Sequence, residues 1–249
     1  MTCLEINKIH NGDCLELMKD IPSKNVNMIL CDLPYGTTRN KWDNIIDIKL
    51  LWLQYERIIK DIGIIILTAQ TPFTEIIGSS NLKMLKYKWC WIKQQGTGFL
   101  NSKKMPLKAT EDILVFYKKI GTYNPQMRTG FKPYIAKRKD KSYSDNYGKQ
   151  KCVNTINTTG NRFPLNWIEF KYNKEKLHPT QKPVELFEYL IKTYSNEGDL
   201  ILDNCAGSGT TGVACKNLNR NFILIELDKN YCDIANKRLA QKTLIGGTI

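Results

Sequence analysis

Short runs of aliphatic and β-branched residues alternate along this chain with stretches whose apolar positions recur every three or four residues. The run Val26-Asn27-Met28-Ile29-Leu30-Cys31 predicts a strand buried on both faces. Helical spacing follows over 48–60, then a strand over 62–68 and further strands over 87–92 and 113–117. Pro183 opens a predicted helix over 183–194, and Leu200-Ile201-Leu202 is a short buried strand. A glycine-rich loop, a helix over 210–218, a strand over 222–225 and a helix over 230–239 complete the pattern. Such alternation predicts an α/β domain with a mostly parallel central sheet. Between 119 and 177 the periodicity fades and Gly121, Pro125, Gly130, Pro133, Gly148 and Gly160 punctuate the chain. That stretch reads as an irregular insertion, with 1–118 and 178–249 forming the main domain.

Composition narrows this further. A chain of 249 residues, 42% hydrophobic, supports one sizeable core with a modest insertion. Its longest strongly apolar run, 62–67, is far too short to cross a bilayer, and 1–10 lacks the basic-then-apolar order of a secretion signal. A cytosolic location is expected. No two of the eight cysteines are closer than ten residues, and only His10 and His178 offer imidazole. Neither a disulfide framework nor a metal site is expected, so the cysteines read as small reduced core residues, Cys205 being the exception. The net charge is +13, and residues 119–182 hold 14 basic residues against four acidic ones, a net of +10. A solvated lysine-rich surface would account for this. So would a polyanionic partner, and Tyr123, Phe131, Tyr134, Tyr143, Tyr147, Phe163, Trp167 and Tyr172 interleave with the cations as phosphate contact plus base stacking requires.

Two loops carry the candidate chemistry. In Asp203-Asn204-Cys205-Ala206-Gly207-Ser208-Gly209-Thr210-Thr211, small residues between a strand and a helix let backbone approach a nucleotide-like ligand. No Lys-Ser/Thr follows Gly209, which disfavours a triphosphate. Glu226, ending the next strand about 20 residues on, is placed to accept from ribose hydroxyls. Asp32-Leu33-Pro34-Tyr35-Gly36 leaves the strand 26–31 at the mouth of a parallel sheet, where Asp32 can accept from an amino group and Tyr35 can offer a stacking face. A tight turn is the plain alternative for each loop.

The tetrapeptide Asp32-Leu33-Pro34-Tyr35 resembles the catalytic Asp-Pro-Pro-Tyr motif of DNA amino-methyltransferases, and Asp203 through Thr211 resembles their cofactor loop. His178-Pro179-Thr180-Gln181-Lys182-Pro183 is similar to the segment preceding that loop, and Gly12-Asp13 to the family's N-terminal Gly-Asp. The order of motifs is that of the β class, which methylates adenine N6 or cytosine N4 in DNA using S-adenosylmethionine. The resemblance covers about 4–118 and 162–240. It implies a Rossmann-like methyltransferase fold, base flipping of duplex DNA, and target recognition in the basic insertion. It also implies that Asp32, Leu33, Pro34 and Tyr35 are catalytic. Cofactor contacts would come from Asp13, Thr180, Lys182, Asp203, Cys205, Gly207, Gly209, Thr210 and Glu226. For Asp13 a helix-capping role is equally open, and Trp42 could line the base pocket or pack in the core. Leu33 and Cys205 replace a common proline and phenylalanine; the first keeps the main-chain carbonyl, and the second removes an aromatic wall beside the cofactor.

Such an amine is a poor nucleophile, because its lone pair is delocalised into the base. Two acceptors and a stacking face would draw it toward tetrahedral geometry without a metal. Adenine is favoured because the motif starts with Asp. Cytosine N4 is the alternative, followed by an RNA or protein-glutamine methyltransferase and a catalytically silent DNA-binding module. In the RNA and protein enzymes the cofactor loop normally comes first, whereas here Gly207 lies 172 residues after Tyr35 (207 − 35). A homodimer and a cognate restriction endonuclease are expected only by analogy.

Overall fold

A computed structural model describes residues 3–36, 44–136, 143–144, 146, 148–149, 155–171 and 181–241. In chain order the elements are β1 (Lys8–Asn11), α1 (Cys14–Leu17), β2 (Val26–Cys31), α2 (Ile48–Ile58), β3 (Ile59–Ala69), α3 (Phe73–Ser80), β4 (Leu85–Thr97) and β5 (Lys108–Phe116). Short strands β6 (Tyr134–Ala136), β7 (Tyr143–Ser144), β8 (Gly148–Lys149) and β9 (Thr155–Asn157) follow. The chain continues through β10 (Trp167–Glu169), α4 (Val184–Tyr194), β11 (Leu200–Asp203), α5 (Thr210–Asn217), β12 (Asn221–Glu226) and α6 (Lys229–Ala240).

Two compact units result. Met1–Asn124 with Asn166–Ile249 forms one, and Pro125–Leu165 the other. The second is narrower than the predicted insertion 119–177, because β10 joins the main sheet by pairing Trp167–Glu169 with Cys90–Ile92. In the main unit an eight-stranded sheet runs β1-β12-β11-β2-β3-β5-β4-β10, with every neighbouring pair parallel except those made by β5. Alternation along β2 splits the core in two. Ile29 and Cys31 pack with Leu51, Trp52 and Tyr55 of α2 and Phe73 and Ile77 of α3. Met28 and Leu30 face the opposite layer, against Leu186, Phe187, Leu190 and Ile191 of α4 and Ala214 and Cys215 of α5. Helices thus cover both faces, as parallel strands buried on both sides require.

The second unit pairs β6 with β9 and β7 with β8. Its cations and aromatics meet each other: the Arg162 guanidinium lies 4.4 Å from the Tyr134 ring centroid, and Arg128 lies 5.2 Å from that of Phe131. No helix among the described residues is long and apolar enough to cross a membrane.

Candidate active site

Register decides what the sheet brings together. Leu202 of β11 lies opposite Ile29 of β2, so the loops leaving these strands emerge side by side at the C-terminal edge although they begin 172 residues apart in sequence (204 − 32). At the end of β2, the Asp32 carboxylate is gripped from three directions. Tyr35 Oη lies 2.7 Å from Oδ1, the Thr68 hydroxyl at the end of β3 donates to the same oxygen, and Lys182 Nζ donates to Oδ2 at 2.7 Å. A carboxylate has about four lone-pair positions, so one more N–H can be accepted. Leu33 is buried, its side chain in the core shared with α2 and α3, so what it offers the site is backbone. The Tyr35 ring stacks on Phe73 with centroids 5.3 Å apart and an interplanar angle of 23°. Burial, then the Asp32 charge, holds the Tyr35 phenol well above its ordinary range.

Lys182, named from sequence among the cofactor-side residues, is held at the Asp32 tetrapeptide. Two carboxylates draw it to the tetrapeptide: besides Asp32, its ammonium lies 3.2 Å from Glu111 Oε2. Burial opposes its charge, yet Asp32, Tyr35 and Glu111 outweigh that and hold it well above the usual lysine range. Glu111 in turn pairs with Lys93, and Gln70 Nε2 donates to it at 3.1 Å. Lys93, Glu111 and Lys182 are all buried, and with Asp32 they form a chain of alternating charge. Burial pulls Lys93 below its ordinary range against the attraction of Glu111. One residue before Lys182, Gln181 Oε1 accepts from Ser208 Oγ at 3.3 Å. Consecutive side chains therefore reach the two loops. Thr180, His178 and Trp42 lie outside the described residues.

Across the edge, Asp203 is buried and accepts from Thr211 Oγ1 at 2.5 Å and from the Cys205 amide at 3.1 Å. Burial raises its carboxyl to about 7, and the Asp32 charge adds to the effect. Thr211 makes the hydroxyl bond to Asp203, while Thr210 Oγ1 accepts from Arg238 Nη1 at 3.4 Å. Glu226 Oε2 accepts from the Gly207 amide at 2.7 Å and Oε1 from the Asp228 amide at 2.9 Å, so the carboxylate fastens the glycine loop. Burial pushes the Glu226 carboxyl up. Gly209 has φ +77, and a Cβ there would stand 2.8 Å from that of Ala235, which excludes any larger residue. Asp13 caps α1, accepting from the amides of Leu15 and Glu16 at 2.8 and 3.1 Å. It still borders the site, since the preceding Gly12 amide donates to the Glu226 carbonyl at 3.0 Å.

Cys205 has company that the sequence reading did not foresee. Its thiol accepts from Asn204 Nδ2 at 3.5 Å, and the thiols of Cys14 and Cys31 lie near enough to perturb its ionisation. The contact with Cys205 lowers the Cys14 thiol, whereas burial raises Cys31 to about 12. Cys3 is exposed and so departs from the expected core role, and Cys152 lies outside the described residues. No cluster among the described residues could hold a metal ion.

The family model described as DNA methylase matches residues 26–237, which span both loops and the whole sheet apart from β1. The chain belongs to the DNA methylase family. This methylase is 29% identical to the type II methyltransferase M.HpaI of Haemophilus parainfluenzae, over 92% of this chain and 72% of that protein. It is 28% identical to the DNA adenine methyltransferase YhdJ of Escherichia coli K12, over 94% of this chain and 83% of the relative. Among solved structures it is similar to M1.HpyAVI in complex with SAM, with a TM-score of 0.62 and 27% identity, covering 93% of this chain and 98% of the other. Sequence reasoning found the two loops of the methylase but missed Thr68, Gln70, Lys93 and Glu111. Their only signal was polar residues inside or beside predicted strands, a pattern that surface strands share.

Proposed function

We propose that this methylase transfers a methyl group from S-adenosylmethionine to the exocyclic N6 of adenine in duplex DNA, with the target base turned out of the helix. The observation that carries this reading is the adjacency of the Asp32 and Asp203 loops on neighbouring strands. A cofactor bearing an ammonium group suits Asp203, whose described hydrogen-bond partners are a hydroxyl and a backbone amide, neither of them cationic. Glu226 and the backbone of Gly207 and Gly209 would hold the nucleoside end, with Asp13 beside them. When bound, S-adenosylmethionine supplies an electrophilic methyl group on a sulfonium.

The remaining work falls to the chain. Asp32, through its remaining lone pair, and the main-chain carbonyl of Leu33 accept the two N–H bonds of the amine and turn its lone pair out of conjugation. Pro34 stiffens that carbonyl's backbone, and Tyr35, braced by Phe73, stacks on the base. Thr68 and Lys182 fix the orientation of the Asp32 carboxylate. Resemblance to a relative named as an adenine methyltransferase and the Asp at the head of the tetrapeptide favour adenine over cytosine N4. By analogy with the family, two copies pair and a restriction endonuclease shares the target sequence; sedimentation of the purified chain tests the first.

The deciding experiment expresses the chain in cells lacking DNA methylation and sequences their DNA by a method that reads modified bases. N6-methyladenine at one short sequence is expected, and N4-methylcytosine would shift the reading to the other base. DNA free of both would overturn it. Asp32→Ala is expected to lower methyl incorporation by on the order of 10²-fold or more while cofactor affinity changes little, since the lost acceptor acts on the amine. A silent binder would incorporate no label with or without that change.

A further inference from the structure

The hairpin joining β4 to β5 stands out from its surroundings. β5 runs antiparallel to β3 with Asp112 opposite Ala69, the last residue of β3, so Lys108 to Glu111 extend past the edge that carries Asp32. β4 follows β5 outward, pairing Thr97 with Lys108, and residues 98–107 project beyond that. Every residue from 94 to 110 is exposed, and the segment holds Lys103, Lys104 and Lys108 but no carboxylate. At the tip Phe99 is 77% and Leu100 98% exposed, with Met105 and Leu107 also in solvent. The shape is built in. Gly98 takes φ +88 to turn the chain into the short helical turn Phe99–Asn101, and at the neck Gly96 packs so closely on Leu107 that a Cβ would meet it at 2.7 Å. At the root, Lys93 on β4 and Glu111 on β5 belong to the buried charge chain that ends on Asp32.

Two neighbouring apolar side chains held almost wholly in water, flanked by cations and free of acids, match one kind of partner: stacked bases between phosphate backbones. We propose that this fingertip is a DNA wedge, Phe99 and Leu100 entering the base stack beside the target nucleotide while Lys103 and Lys104 contact phosphates. This rests on the duplex-DNA reading above and adds to it how the base is released. The root shared with Asp32 sets the wedge at a fixed distance from the tetrapeptide, so the base displaced by the one is presented to the other.

The test compares the full chain with a Phe99→Ala/Leu100→Ala variant on two substrates. One is a duplex carrying the sequence identified by modified-base sequencing; the other is the same duplex with a mismatch opposite the target base, where little unstacking is left to do. Loss of base stacking is expected to lower kcat/KM on the matched duplex on the order of 10- to 100-fold. On the mismatched duplex the loss should stay within about 3-fold, given that a mismatched base flips most cheaply. With 2-aminopurine at the target position, the fluorescence rise seen with the unaltered chain should vanish in the variant. Unchanged melting and cofactor affinity confirm that the variant is folded. A Lys103→Ala/Lys104→Ala variant should weaken binding to both duplexes alike and flatten its salt dependence. Equal losses of rate on the two duplexes in the Phe99→Ala/Leu100→Ala variant, or no loss on either, would overturn the wedge. So would a shift from dimer to monomer in that variant at an unchanged duplex rate, which would assign the tip to a second copy. If the unaltered chain methylates no DNA at all, the proposed function itself fails, a result separate from these.

Discussion

Asp203 is the residue whose environment departs furthest from that of an ordinary carboxylate. Its value of about 7 in the folded chain lies above the roughly 3.9 of an unfolded aspartate, so between these values the folded chain holds a proton that the unfolded chain has released. The stability this contributes is present at low pH and is lost as pH rises toward 7. Asp203→Asn should remove that slope, seen as a gap in chemical denaturation between variant and parent that changes by a few kcal/mol from pH 4 to pH 8. Cofactor affinity should move the opposite way. An incoming ammonium needs the carboxylate form, so binding by calorimetry should strengthen as pH passes through 7 in the parent and stay flat in the variant. The sequence made Asp203 visible because it follows a continuous apolar run and precedes two glycines. It gave no sign of which hydroxyl would serve it, since Thr210 and Thr211 differ only in the direction that helix α5 imposes.

Among the elements, those with long apolar runs were readable and those that lean on distant partners were not. β2, β11 and β12 match the predicted strands to within a residue or two. β1 has only four residues, mostly polar, and exists because β12 pairs with it; β10 has three and exists because β4 does. α3 is eight residues long, too short for its spacing to stand out, and carries Gly78. β3 begins at Ile59 directly after α2, three residues before the predicted start, because Val26 pairs with Ile59 across an irregular register. The charge chain through β4, β5 and the segment before α4 was hidden for a different reason: a lone lysine or glutamate reads as surface until its partner is known. Glu111→Gln leaves two buried ammonium groups short of a carboxylate and should cost about 3–5 kcal/mol. For a chain of this size that is a melting temperature roughly 6–20 °C lower by calorimetry.

At the level of the whole molecule, charge is the property that reaches furthest from any one site. A net +13, of which +10 falls in residues 119–182, predicts DNA affinity dominated by counterion release. Binding measured by fluorescence anisotropy should fall by about 10³-fold between 50 and 200 mM salt if six or more phosphates are neutralised. A fall of less than tenfold would mean that few of these cations touch the backbone. Among the described residues of Pro125–Leu165, Arg128 and Arg162 are already engaged with aromatic rings and main-chain carbonyls.

The strand order also governs how the protein comes into being on the ribosome. Among the described residues β1 pairs with β12 alone, and 213 residues separate Lys8 from Asn221 (221 − 8). At about 5–20 residues per second, β1 waits roughly 10–40 s before its neighbour has been translated. β2, whose end carries Asp32, waits nearly as long for β11. Throughout that interval the nascent chain exposes apolar strand edges to chaperones, and it has no means of marking a genome until β11 and β12 have been translated.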